Sequence, residues 1–282
     1  MESELNKSPT SETNIESLYQ AMKLPESTLL NSKVAKRQLL ENAQLTTPNK
    51  KAIQEDIDSV IWSHTLKTST VNIAPFQDSI STDDGDFDLD YSEVAILRVV
   101  VRSKTRISKI NEVLHRTIPY PLLIVFTDTS NNSLLLSLAT KRINKADHSK
   151  LTVERFYNTD WFSDEAIPNE TNHFFCSLAV NKQSFVNFYE FYMGWVAQFI
   201  QLEKSKYVGD FTEKNESTVD IQKAKMQAEL LDKIANLESK LSGIKQKIKQ
   251  EDQINRKVEL NIYAQKLKKQ LNKLKSELGA VI

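Results

Sequence analysis

Two or three carboxylates and a lysine gathered around one divalent metal make a phosphodiester-cleaving centre. The residues of this chain that come nearest to such a set are Asp56, Asp58, Glu93 and Lys104. Their spacing speaks against it. Glu93 opens the stretch Glu93-Val-Ala-Ile-Leu-Arg-Val-Val-Val101, and Val94-Ala95 follow it where an acid-x-lysine pattern would place the lysine. A strand of that length spans roughly 30 Å at about 3.3 Å per residue, which holds Glu93 and Lys104 apart.

Other chemistries find even less. His64, His115, His148 and His173 are scattered, with no i, i+4 pair for a zinc-binding helix. The only cysteine, Cys176, lies in Phe174-Phe-Cys-Ser-Leu178 and reads as a small buried hydrophobe. A single cysteine excludes an intrachain disulfide framework and a thiolate metal cluster. No Gly-x-Ser-x-Gly elbow is present. The five glycines stand at least 15 positions apart, so neither a Walker A loop nor a dinucleotide fingerprint exists, and no cofactor is expected. Asp78 to Asp90 holds six aspartates and no base. Oxygen ligands of this kind suit calcium, but the glycine comes too early for an EF-hand. The segment reads as a solvated acidic loop, and no metal site is expected.

The elements that would position any site are clearer. Glu93–Val101, Tyr120–Phe126 and Leu134–Ala139 are nearly unbroken apolar runs, the pattern of central strands buried on both faces. Ile107–Thr117 carries Ile107, Ile110, Val113 and Leu114 on one helical face. The order strand, helix, strand permits a parallel crossover, followed by an antiparallel return through a loop at 127–133. Further strands are expected at 65–73, 151–156 and 174–180. Short helices are expected at 15–22, after Ser32 through Val34, Leu39 and Leu40, and from Pro48 through Ile53, Ile57, Val60 and Ile61. Ser184 is placed to cap a helix whose Phe185, Phe188, Tyr192, Trp195, Phe199 and Leu202 repeat at 3 and 4. That spacing describes a core helix better than a base-stacking platform.

From residue 218 the composition changes. Leu230, Ile234, Leu237, Leu241, Ile244 and Ile248 form one heptad seam; Leu260, Ala264, Leu267, Leu271, Leu274 and Leu278 form another. The seams are out of phase: four heptads beyond Leu230 lies Val258, not Leu260. The absence of Gly or Pro between them favours one long helix with a register break over a hairpin folded near Glu251, its seam covered by another copy or a partner. The fold expected is α+β: a mixed sheet with packed helices over 15–217, then a coiled-coil helix or helical hairpin over 218–282, with residues 1–14 a disordered tail.

The chain is neutral overall, with 37 bases against 37 acids, yet residues 218–282 hold 14 bases against 8 acids, a net of +6. Lys266, Lys268, Lys269 and Lys273 are the candidate phosphate contacts there, set against an ordinary solvated coiled-coil exterior. The polar N-terminus and the lack of an 18-residue apolar run argue against a signal peptide, a membrane span or any membrane partner, and the lone cysteine suits a reducing, cytoplasmic setting.

Several short motifs occur in a telling order: Leu24-Pro25, Val34-Ala-Lys36, Leu45-Thr46, Trp62, Leu66-Lys67, Thr70-Val-Asn-Ile73, Glu93-Val94, Ile118-Pro-Tyr-Pro121 and Asn255-Arg-Lys-Val-Glu-Leu-Asn261. In this order the chain resembles a bacterial family, domain of unknown function 4391, from about Leu18 to Leu278. It departs from the pattern at Val34-Ala-Lys36, where Ile-Pro-Lys would be expected. The resemblance implies a setting beside helicases and DNA methyltransferases, in restriction or phage-defence loci. It carries over no catalytic residue. It points to Lys36, Trp62, Lys67, Asn72 and Glu93 as the candidate polar site. The function expected is a non-catalytic adaptor or regulatory subunit recruiting a helicase- or methyltransferase-like protein through its coiled coil, with homodimerisation and nucleic-acid contact open. A divergent metal-dependent nuclease and a DNA-binding accessory subunit are the alternatives.

Overall fold

The computed structural model describes residues 13–41, 45–82, 85–128, 133–144, 151–163, 169–209, 211 and 220–281. Of the tail expected at 1–14, residues 1–12 lie outside them, while Thr13 and Asn14 already belong to the first helix; the expected boundary at 217/218 also lies outside them. In chain order the elements are α1 (Thr13–Met22), β1 (Leu29–Val34), α2 (Lys36–Glu41), α3 (Thr47–Lys51), β2 (Ile57–Lys67), the single turn α4 (Thr68–Val71), β3 (Phe76–Thr82), β4 (Gly85–Tyr91), β5 (Glu93–Val101), α5 (Ile107–Thr117), β6 (Leu122–Asp128), β7 (Ser133–Asn144), β8 (Leu151–Asn158), α6 (Asn169–Ser177), α7 (Phe188–Val208), α8 (Ile221–Gln250) and α9 (Ile254–Ala280). A π-helical turn over Ala52–Asp56 joins α3 to β2.

The strands form one mixed sheet in the order β1-β2-β5-β6-β7-β4-β3, with β8 paired to β7. Among the described strands only β5 and β6 run parallel, from Ala95 opposite Leu122 to Val101 opposite Asp128, and α5 is the connection between them. Both are buried on both faces. On one face Ala95, Leu97, Val99, Leu122, Ile124 and Phe126 pack with Ile110, Val113 and Leu114 of α5, Leu39 of α2 and Ile53 of the π turn. On the other face, Val94, Ile96, Leu123 and Val125 are equally inaccessible. There Tyr19 of α1 meets His64, the β2 residue opposite Ile96, edge-on at 5.1 Å. Tyr192 of α7 reaches the backbone itself: its hydroxyl accepts from the Ala139 N–H at 3.0 Å and lies 2.8 Å from the Leu122 carbonyl, tying β6 to β7.

Several expected elements change type. The stripe Ile53, Ile57, Val60, Ile61 is not one helix; Ile57 to Lys67 is a strand whose alternate residues face α5 and α1. The helix expected from Ser32 begins only at Lys36, because Leu29–Val34 pairs with β2. Residues 65–73 do not continue as strand: β2 ends at Lys67, and α4 closes on Asn72 in the left-handed region at φ 55°. The acidic stretch is a paired hairpin, β3 with β4, from Phe76 opposite Tyr91 to Thr82 opposite Gly85. Residues 174–177 are helical rather than extended. Asn187, not Ser184, caps α7, accepting from the Glu190 N–H at 2.9 Å.

The described chain divides into two compact units, one holding the sheet and the chain up to Phe199, the other holding the chain from Ile200 together with α8 and α9. The division therefore falls inside α7. In the second unit α8 and α9 are two helices packed on each other, not one long helix. Glu251 (φ −85°, ψ 125°) and Gln253 (φ −78°, ψ 118°) are extended, and this short link reverses the chain without glycine or proline. Leu241, Ala264 and Leu267 form the buried centre of the pair, flanked by Leu237, Ile244 and Ile248. Lys275 reaches across to Glu238 at 2.9 Å and lies over the Tyr207 ring at 4.7 Å. The Gln227 amide and the Lys204 ammonium both donate to the Val281 carbonyl.

Tyr192 gives a direct test of this packing. Tyr192→Phe removes the buried hydroxyl and leaves the Ala139 N–H without it. It is expected to lower unfolding stability by about 1–3 kcal/mol. Urea titration should show a lower midpoint with an unchanged slope.

Candidate functional site

The carboxyl ends of parallel strands, where the next helix begins, are where open α/β sheets usually hold their ligands. Here that end brings together Lys36, Asp56, Lys104, Arg106 and Asp128, all buried or half-buried. The sequence supplies it locally. Arg102-Ser-Lys-Thr-Arg106 follows β5 and brings three cations to the start of α5. The π turn ends on Glu55-Asp56 and brings two acids to the start of β2. Arg106 grips Asp56 with two nitrogens, at 2.5 and 2.6 Å, and Glu55 at 2.7 Å. These hydrogen bonds, Asp56 first, raise the guanidinium pKa above its ordinary value. The Arg102 N–H donates to the Asp56 carbonyl at 2.7 Å, and its guanidinium meets Asp58 at 2.7 Å. Lys36 donates to the Ile57 carbonyl; burial, then Arg102, lowers its pKa.

Lys104 is the most enclosed of the loop cations after Arg106. Its ammonium lies 3.1 Å from Asp128 at the end of β6, 2.9 Å from the Ser133 hydroxyl and 4.4 Å from the Trp161 ring centre. The Asp128 carboxylate and the Trp161 face both engage the ammonium. The arrangement is that of a charged clamp joining β6, β7 and the segment after β8.

The carboxylates considered for metal chemistry do not converge. Asp56 and Asp58 lie where Ile57 pairs with Val101, whereas Glu93 lies at the opposite end of the same strand pair, facing Lys67. Both oxygens of Asp56 already accept from Arg106. Among the described residues no group of three His, Cys, Asp or Glu is arranged to hold a metal ion.

The five motif residues divide in the same way. Lys67 and Glu93 are cross-strand neighbours, and Asn72 closes the adjoining turn. Burial raises the Glu93 pKa, with Lys67 opposing and Asp90 assisting. Trp62 stands midway along β2, donating to Thr65 at 2.8 Å with its ring edge-on to Tyr120. Lys36 is at the far end, by Ile57. Arg106, Asp128, Ser133 and Trp161 were not legible as a site. The one available signal was the three bases in five residues between a strand and a helix.

A second polar assembly is closed to solvent. His115 of α5 lies 3.2 Å from Ser137, and Lys141 of β7 donates to the Ile118 and Tyr120 carbonyls at 2.8 and 2.7 Å, closing the end of α5. Burial, then the charge of Lys141, pushes the His115 pKa well down; burial does the same to Lys141. The assembly ties α5 and the segment after it to β7.

Of the four lysines considered for phosphate contact, Lys266, Lys269 and Lys273 share a face of α9 at i, i+3 and i+7; Lys268 points elsewhere on the wheel. All four are exposed.

Two predictions follow from these charges. Because the folded chain resists protonating His115, the contribution of His115 to stability is fully present well above pH 6.5 and is lost as the unfolded chain takes up the proton through and below that value. The melting temperature should drop between about pH 7.5 and about pH 5.5, and His115→Leu should flatten that slope, with a remainder from His64, which burial also lowers. Arg106→Met strands the Asp56 carboxylate, so it should lower the urea midpoint; adding Asp56→Asn should recover part of the loss, which an unpaired pair of effects would not.

No curated protein and no solved structure matches the chain significantly. A family model does match, over residues 22–271, a span that takes in the whole sheet, α8 and most of α9. The chain therefore belongs to the family described as domain of unknown function DUF4391.

Proposed function

We propose that the protein is a non-catalytic adaptor or regulatory subunit that recruits a partner protein through the α8–α9 hairpin. The observation that carries this reading is the division of labour on α9. Its inner face is used up against α8. Its outer face keeps Ile254, Val258 and Ile262 exposed, on a helix that needs none of them for the hairpin. Exposed apolar residues repeated along one helix face mark a contact surface. The charged end of the sheet supports the same reading, since its acids and bases are spent on one another and on backbone carbonyls. The family match extends into the hairpin, so the hairpin is part of what defines the family. The setting proposed is a DNA-processing system of the restriction or phage-defence kind, with a helicase- or methyltransferase-like partner in the cytoplasm. This setting comes from the family resemblance. The exposed Lys266, Lys268, Lys269 and Lys273 favour a second reading, direct contact with nucleic acid, whose signature would be a steep loss of affinity with salt.

The test is affinity purification from the native host with the full chain and with a chain ending at Ser217, whose sheet is checked by circular dichroism. The full chain should bring down a defined partner and the shortened chain should not. Retention of the partner by the shortened chain would reject the adaptor reading.

A further inference from the structure

The outer face of α9 is more specific than an apolar patch. At 100° per residue, Ile254, Val258 and Ile262 fall within one narrow stripe, on the side of the helix away from Ala264, Leu267 and Leu271. Their exposures are 77%, 51% and 54%. The stripe does not stop at Ile262. Continuing by steps of 4, 3 and 4 it reaches Lys266, Lys269 and Lys273, all exposed. The line is therefore apolar over its first half and cationic over its second, about 28 Å in all at about 1.5 Å per residue. The charges flanking it are Lys257 and Glu259, one on either side of the apolar half, and Glu277, 3.7 Å from Lys273.

Resting on the adaptor reading, we propose that this stripe docks an amphipathic helix of the partner protein that is acidic in its N-terminal half and apolar in its C-terminal half, lying antiparallel to α9. The apolar half of α9 calls for an apolar surface, which the backbone of a duplex does not offer. A helix lying in a membrane interface keeps its lysines on the face opposite its apolar residues; here they lie on the same line. A second copy would bring two regions of net charge +6 together. The antiparallel sense sets acids at the partner helix's N-terminus, where its dipole favours them, against the three lysines.

The test uses the full-length protein and a fluorescein-labelled 20-residue synthetic helix with Glu on one face of its first half and Leu on the same face of its second. Fluorescence anisotropy should show saturable binding. Val258→Glu and Lys269→Glu should each weaken it by about tenfold or more, while Lys240→Glu, on α8, should not. A peptide with its two halves exchanged should also bind about tenfold more weakly. The proposal is overturned if the helix does not bind, or if binding ignores Val258→Glu. It is overturned too if Val258→Glu instead dissolves a dimer in sedimentation, or if it abolishes binding to duplex DNA or phosphatidylserine vesicles and spares the peptide. If ending the chain at Ser217 releases the host partner but Val258→Glu does not, the stripe assignment fails and the adaptor reading stands.

Discussion

The parallel pairing of β5 with β6 is the constraint on which the sheet unit depends. Two adjacent strands that are apolar on both faces need cover on both faces. A parallel pair also needs a crossover long enough to return the chain. α5 supplies the return and the cover on one side, helped by α2 and the π turn. On the other side α1 and the aromatic residues of α7 meet the sheet. Polar groups trapped by this burial are costly unless they find partners inside. Tyr192 does so at the strand backbones, and Lys141 at the carbonyls closing α5.

The same constraint explains where the charges went. Apart from the half-buried Arg98, the middle of β5 and β6 is apolar, and the other charges of the pair stand at the strand ends. At one end Glu93 faces Lys67; at the other Arg102, Lys104 and Arg106 meet Asp58, Asp128 and Asp56. Buried acids beside arginine and lysine are costly to leave unpaired, and pairing them fixes the loop that starts α5. The cluster ties the loop that starts α5 to β6 and to the turn before β2.

The hairpin obeys a different rule. Two seams that fail to line up along one helix can still face one another if the chain reverses. The position that would continue the first seam, Val258, is half exposed on the outer stripe, while Ala264 and Leu267 turn inward to Leu241. Intramolecular pairing satisfies the seam without a second chain and frees the opposite face of α9 for other contacts.

The sequence by itself determined the strongly patterned parts: the central strands, the crossover helix, the core character of α7 and the apolar seams after residue 218. Long runs and sustained periods survive any tertiary context, because burial of that much apolar surface dominates local preference. The scarcity and spacing of glycine likewise ruled out a Walker A loop and a dinucleotide fingerprint. Tertiary structure decided the rest. Ile57, Val60 and Ile61 fit a helix or a strand by spacing, and pairing with β5 chose the strand. The acidic stretch became β3 and β4 because cross-strand pairing supplies backbone partners that composition does not reveal. Reversal at Glu251 needed only a few extended residues, a conformation open to any residue type. The ion pairs at the strand ends join residues far apart in the chain: Arg102 and Asp58 by 44 positions, Arg106 and Asp56 by 50. No local pattern encodes such a distance; only the folded sheet brings them together.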